Sequence, residues 1–397
     1  MHRSAGTAMR LAPQPCPRLA RLVGDFAADH DLPAAAAAVV SPGGIEAAAA
    51  VGVRRLGGQA PVSLADRWHL GSIGKSVTAL MLARLVDRGT LDWTTTVGAA
   101  LPGLVAETRS SFAGVTLEQL LTHRSGMRAN PGFATLMSML WWPDSTDPGR
   151  LRMVRQGLSS KPRTRPGTHF DYSNLGYVVA GAMAEAVTGE SWETLVLTEV
   201  LGPLGLRETG FGPPGLDAPA NQPWGHRRTI LGRLRGRRFR PVAPSGRFAD
   251  NPPALGPAGV LHMSLGDFAR YAGVHLAALS GRSTFLRPAT AARLYTPPAT
   301  EENLIGEGHD YACGWVVSTP DTGFGCTSSR WHDGSNTLWY AALTLVPEQG
   351  RAFVFAANAF DPAAIGDAFA MHERLGRLFR RWAGALPPTA RPEPDRP

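Results

Sequence analysis

Ser72 and Lys75 stand three residues apart in Trp68-His69-Leu70-Gly71-Ser72-Ile73-Gly74-Lys75, just ahead of a segment with helical spacing of apolar residues (Val77, Leu80, Met81, Leu85) that Gly89 ends. Residues i and i+3 share a helix face, so the hydroxyl and the amine can meet. A serine hydroxyl is a weak nucleophile at neutral pH and needs a base beside it. A lysine whose pKa is lowered by burial can serve. The helix N-terminus adds positive potential and free backbone N–H groups that favour an oxyanion. Lys75 also stands out by composition: of 40 Lys and Arg residues only Lys75 and Lys161 are lysine, and arginine, unlike lysine, does not give up its proton.

Two more clusters fit the same chemistry. Pro166-Gly167-Thr168-His169-Phe170-Asp171-Tyr172-Ser173-Asn174 leads into another helical segment, and a Tyr172 phenol near Lys75 can shuttle a proton. Trp331-His332-Asp333-Gly334-Ser335-Asn336 precedes the strand from Leu338. His332-x-Gly334 at a strand edge can line the opposite wall and offer a backbone N–H to an oxyanion.

The elements that must position these groups form a simple order. Arg18 to His30 has the spacing of an amphipathic helix, and the apolar runs 35–40 and 45–53 flank Pro42-Gly43-Gly44, a hairpin signature. From about 105 to 250, helical segments alternate with Pro- and Gly-rich loops. Strands follow at 314–318, 338–346 and 352–357, then a last helix at about 362–382. The predicted fold class is α+β: an antiparallel sheet flanked by the N- and C-terminal helices, with a mainly helical region inserted. The expected organisation is an N-terminal extension (1–16), one domain (17–385) containing a helical subdomain at about 105–250, and a disordered Pro- and Arg-rich tail (386–397).

With these motifs in place, the chain resembles the serine β-lactamase and penicillin-binding-protein superfamily, in particular its branch of class C β-lactamases, serine esterases and D-stereospecific peptidases. The resemblance spans roughly residues 17–382. It also rests on Thr116-Leu117-Glu118-Gln119-Leu120-Leu121-Thr122-His123-Arg124-Ser125-Gly126, Pro203-Leu204-Gly205-Leu206, Pro257-Ala258-Gly259-Val260 and Tyr311-Ala312-Cys313-Gly314-Trp315. It implies that Ser72 is acylated, that Lys75 and Tyr172 share acid–base duty, and that Asn174 orients Lys75 and the substrate. It also implies an oxyanion hole of the Ser72 and Ser335 N–H groups beside Gly334, and a His332 that positions Tyr172 and the leaving group. Which of Lys75 and Tyr172 takes the proton stays open.

The third motif departs from the β-lactamase pattern, which has Lys-Thr-Gly there. A neutral His332 next to Asp333 is a poor receptor for a substrate carboxylate. Small neutral esters or amides are therefore the expected substrates. The alternatives are a β-lactamase, a D-stereospecific peptidase or a catalytically silent binding protein on the same scaffold.

Other classes fit poorly. Gly74-Lys75-Ser76 ends like a phosphate-binding loop, but His69 occupies the required first glycine. Leu70 likewise breaks a Gly-x-Ser-x-Gly elbow. No apolar run nears the ~18–20 residues of a membrane span. Cys16, Cys313 and Cys326 are too scattered for a disulfide framework or a metal site. His123, His226, His262, His275 and His309 read as loop or packing residues, and no cofactor is implied. Lacking an apolar leader, the chain is expected to be cytoplasmic.

The net charge of +8 comes from one segment. Residues 221–247 hold Arg227, Arg228, Arg233, Arg235, Arg237, Arg238, Arg240 and Arg247 with no acid, while the rest of the chain is balanced. Nucleic-acid or membrane binding and an acidic substrate are the pointed readings of that segment. A solvated surface hairpin is the plain one, favoured because Trp224 and Phe239 are too few aromatics for a stacking platform.

Overall fold

The strand Ala34–Ser41 (β1) is Ala-Ala-Ala-Ala-Ala-Val-Val-Ser and is buried along all but its last residue. A strand that is apolar on both faces must lie inside a sheet covered on both sides. The computed structural model describes residues 15–141, 146–229, 238–299, 309–318, 328–361 and 368–384, and it places β1 in that setting. Arg233, Arg235, Arg237, Cys326, most of the 1–16 extension and the 386–397 tail lie outside the described residues.

β1 pairs antiparallel with Gly44–Gly52 (β2), closing on Ser41 and Gly44 around the expected Pro42-Gly43 turn. The remaining strands are Arg67–His69 (β3), Thr209–Phe211 (β4), Gly225–Arg228 (β5), Phe239–Val242 (β6), Leu261–Ser264 (β7), His309–Tyr311 (β8), Val316–Ser318 (β9), Ser329–Ser335 (β10), Tyr340–Val346 (β11) and Arg351–Ala357 (β12). The main sheet has the order β2-β1-β12-β11-β10-β9-β8, and every pairing in it is antiparallel. The first hairpin thus sits beside the last strands, which closes the chain's beginning onto its end.

Side chains alternate across this sheet with period two. Ala35, Ala37 and Val39, with Phe353 and Phe355, face the helices Pro17–Asp29 (α1) and Ala368–Ala383 (α5), against Leu19, Val23, Met371, Leu375 and Phe379. Ala34, Ala36, Ala38 and Val40 face the larger core. That core includes Gly74–Asp87 (α2), Asn174–Thr188 (α3) and Leu265–Leu279 (α4). The small alanines let helices pack close on both faces, and the result is a layered helix–sheet–helix sandwich of the predicted α+β class.

Between β3 and β7, helices run through Leu204, and three short strands follow. One of these is β4, which joins β3 and β7 in a small sheet. The other two, β5 and β6, form a hairpin that carries part of the arginine segment. Arg228 and Arg238 both pair with buried Asp361, Arg238 also pairs with Asp31, and Arg227 lies 5.7 Å from the Phe248 ring. These three arginines engage their own protein's acids and ring.

Candidate active site

The turn before α2 fixes Ser72. Gly71 takes a left-handed φ of 52°, and its N–H donates to His69 Nδ1 at 3.0 Å. His69 Nε2 lies 3.0 Å from Asp250 Oδ2, and Asp250 Oδ1 accepts from Asn336 Nδ2 at 2.9 Å. One carboxylate therefore ties the nucleophile turn to the loop that follows β10. Glycine is required where the two meet. A Cβ added to Gly334 would run into Leu70 O and Ser72 N, and one added to Gly71 would come within 2.6 Å of the Gly334 carbonyl carbon. The backbone of the nucleophile turn and that of Gly334–Ser335 therefore approach each other closely.

Lys75 is fully buried, and its Nζ lies 3.0 Å from Ser72 Oγ while donating to Ala258 O at 2.9 Å. The amine also sits 4.8 Å from the Tyr172 ring centre and 5.7 Å from that of Tyr177. Burial holds its pKa well below the usual lysine value, and the charge of Asp333 opposes that shift only in part. The Tyr172 phenol is buried as well, which pushes its pKa up, so it keeps its proton. Lys75 therefore lies beside both the Ser72 hydroxyl and the Tyr172 ring. The arrangement can move a proton from the serine hydroxyl to a neutral amine, with a phenol at hand as donor.

Asn174 and His332 make their own contacts in the site. Asn174 opens α3, and its Nδ2 donates to Asn130 Oδ1 at 2.7 Å, whereas both hydrogen bonds of Lys75 go elsewhere. His332 Nε2 lies 2.8 Å from the Tyr311 hydroxyl, and Nδ1 bonds to the Asp333 carbonyl. A carbonyl only accepts, so Nδ1 carries the hydrogen and Nε2 accepts from Tyr311. Its ring centre is 6.5 Å from that of Tyr172. Burial, helped by Lys75, pushes His332 down to about 3, so the ring is neutral at ordinary pH.

Ala258 and Tyr311 stand in the quoted motifs without a role, and His123 reads from the sequence as a loop or packing residue. His123 stacks among Tyr172, Tyr177 and Tyr311, with ring centres 4.3, 5.2 and 4.6 Å away. The His69–Asp250 pair left no mark in the sequence, because its partners are 181 residues apart and neither belongs to a repeat or spacing pattern. Among the described residues, no group of three or more His, Cys, Asp or Glu side chains is placed to hold a metal ion. Nor is any helix among them long and apolar enough to cross a membrane.

An antiparallel sheet between helical layers, with a serine and a buried lysine at the foot of a central helix, defines the class: a serine hydrolase. The family model for β-lactamases matches residues 19–375, and the chain belongs to that family. It is 27% identical over 382 residues to penicillin-binding protein 4 of Amycolatopsis lactamdurans, covering 92% of this chain and 91% of the relative. It is also 27% identical to an unguisins hydrolase of Aspergillus campestris, over 73% of this chain and 52% of that protein. Among solved structures, the octameric penicillin-binding protein homologue from Pyrococcus abyssi superposes with a TM-score of 0.72 at 21% identity, covering 91% of this chain and 77% of that one. A D-stereospecific amidohydrolase from Streptomyces superposes with a TM-score of 0.67 at 21% identity, over 93% and 99% of the two chains.

Proposed function

We propose that this serine hydrolase cleaves small esters or amides that carry no free carboxylate next to the scissile bond. The observation that carries the reading is the buried amine of Lys75, 3.0 Å from Ser72 Oγ, with no carboxylate hydrogen-bonded to it among the described residues. An amine kept neutral by burial can take the Ser72 proton as Oγ bonds to the substrate carbonyl carbon. The backbone N–H groups of Ser72 and Ser335 hold the resulting oxyanion beside Gly334. The proton then passes, through Lys75 and Tyr172, to the departing alcohol or amine as its bond to the carbonyl carbon breaks. Water attacks the acyl-enzyme by the same route in reverse, releasing the acid and restoring Ser72. The raised pKa of Tyr172 supports Lys75 as the base and Tyr172 as the proton donor.

The restriction to neutral substrates rests on His332. Both of its ring nitrogens are engaged, and the ring is uncharged, so it presents no cation to a carboxylate. A second reading, hydrolysis of D-configured amides, draws on the neighbour named as a D-stereospecific amidohydrolase. A panel of p-nitrophenyl esters, D-alanyl amides and a chromogenic cephalosporin, with Ser72→Ala as control, separates the readings. Turnover of neutral esters or amides that Ser72→Ala abolishes is expected. Efficient cephalosporin turnover without ester or amide turnover overturns the proposal.

A further inference from the structure

His123 holds the backbone on both sides of Tyr172. The Asp171 N–H donates to the His123 carbonyl at 2.8 Å, and the Ser173 N–H donates to His123 Nδ1 at 3.0 Å. The imidazole then lies against the phenol ring between them, 4.3 Å centre to centre and 41° from parallel. The histidine is fully buried and has a left-handed φ of 59°.

This is a costly way to place a side chain. A left-handed backbone suits glycine or asparagine better than histidine. Because Nδ1 accepts from Ser173, the ring hydrogen of the neutral imidazole sits on Nε2, which has no hydrogen-bond partner among the described residues. A buried polar group without a partner is destabilising. Asparagine would tolerate the same φ and could supply an acceptor near the position of Nδ1. What asparagine would lack is the ring. The imidazole also lies against Tyr311, whose hydroxyl meets His332, so it packs among the aromatic rings that wall the site.

We propose that His123 is the positioning residue of Tyr172: its carbonyl and Nδ1 pin the flanking backbone, and its ring sets the orientation of the phenol toward Ser72. It does not touch the reacting atoms. The inference rests on the proposed part of Tyr172 in proton transfer, and the test keeps the two apart.

The test is a cycle of His123→Asn, Tyr172→Ala and the double variant, with kcat and KM measured on the best neutral ester and folding followed by thermal unfolding. His123→Asn alone is expected to lower kcat about 10- to 100-fold with KM within about twofold, since a mispositioned group costs turnover more than binding. In the Tyr172→Ala background it is expected to cost almost nothing further, because residues acting as a unit are non-additive. Equal costs in both backgrounds, or full kcat in His123→Asn, overturn the inference while leaving the role of Tyr172 standing. Unimpaired Tyr172→Ala overturns the role of Tyr172 itself. Should His123→Asn not fold, His123→Gly, which removes the ring and relieves the left-handed strain, carries the same cycle. If neither folds, His123 supports the domain as a whole and the inference fails.

Discussion

The Tyr311 hydroxyl donates to His332 Nε2 at 2.8 Å, which leaves the histidine of the third motif neutral and occupied on both nitrogens. The wall opposite Ser72 therefore has a polar ring where a cation would be needed to receive a carboxylate. Replacing it with a cation should change substrate choice. His332→Lys is expected to raise acylation by a carboxylate-bearing cephalosporin about 10-fold or more, on the scale of one charge-assisted hydrogen bond of about 1.5–3 kcal/mol. Turnover of neutral esters should fall in the same variant. Stopped-flow acylation of both substrate types is the measurement, and a parallel change in the two would remove His332 from substrate selection.

The pH profile separates the base from the donor. Lys75 titrates well below an ordinary lysine and Tyr172 above an ordinary tyrosine, both because of burial. Raising the pH deprotonates Lys75 first, so kcat/KM should climb along one acidic limb and stay level into the alkaline range. Tyr172→Phe should lower the plateau without moving the limb. A limb that moves or disappears in Tyr172→Phe would make the phenol, not the amine, the titrating base.

Much of this site was legible in the chain because its groups sit at short, fixed spacings on regular elements. Ser72 and Lys75 are one helical turn apart, and β1 and β2 announce their hairpin through Pro42-Gly43-Gly44. What could not be read locally depends on tertiary approach. Asp250 reaches His69 across 181 residues, and Ala258 meets Lys75 across 183. The partner of His332 was equally hidden, since Tyr311 lies two strands away in the sheet, on β8. Asn174 carries the opposite lesson: its motif was plain, yet its amide in this structure bonds to Asn130, a residue no pattern singled out.

Buried neutral histidines make the fold sensitive to acid. Burial pushes His275, His332 and His372 down to about 3 and His226 and His262 down to about 4. In the unfolded chain each has a pKa of about 6.5. Below that pH the unfolded state binds protons that the native state refuses. Stability is therefore full above about pH 6.5 and falls as the pH drops toward 4, by about 1.4 kcal/mol per pH unit for each such histidine. His275 is buried on α4, hydrogen-bonded to Tyr295 and ring-to-ring with Trp315. His275→Phe should keep a ring there and remove one proton from the slope, even if its stability at neutral pH is lower. Urea unfolding between pH 4 and 6.5 reads the slope, and an unchanged slope would exclude His275 from the acid response.

Gly334 gives the sharpest steric prediction, because the space for its missing side chain is already filled by backbone. A Cβ there collides with Leu70 O and Ser72 N, atoms of the turn that carries the nucleophile. Backbone cannot swing aside as a flexible side chain can, so Gly334→Ala must push β10 away from that turn. The Ser335 and Ser72 nitrogens would separate, and an oxyanion between them would lose a donor. Losing one such donor typically costs 10²–10³ in kcat, so acylation should slow by at least about 100-fold. The rest of β10 stays anchored, since Trp331 to Ser335 pair in register with β11 and Trp331 also with β9. Thermal unfolding should therefore remain cooperative. The measurement is the rate of labelling by a fluorophosphonate probe, read beside the circular dichroism spectrum. Labelling at the normal rate by a folded Gly334→Ala protein would show that the contact between β10 and the nucleophile turn does not set the reactivity of Ser72.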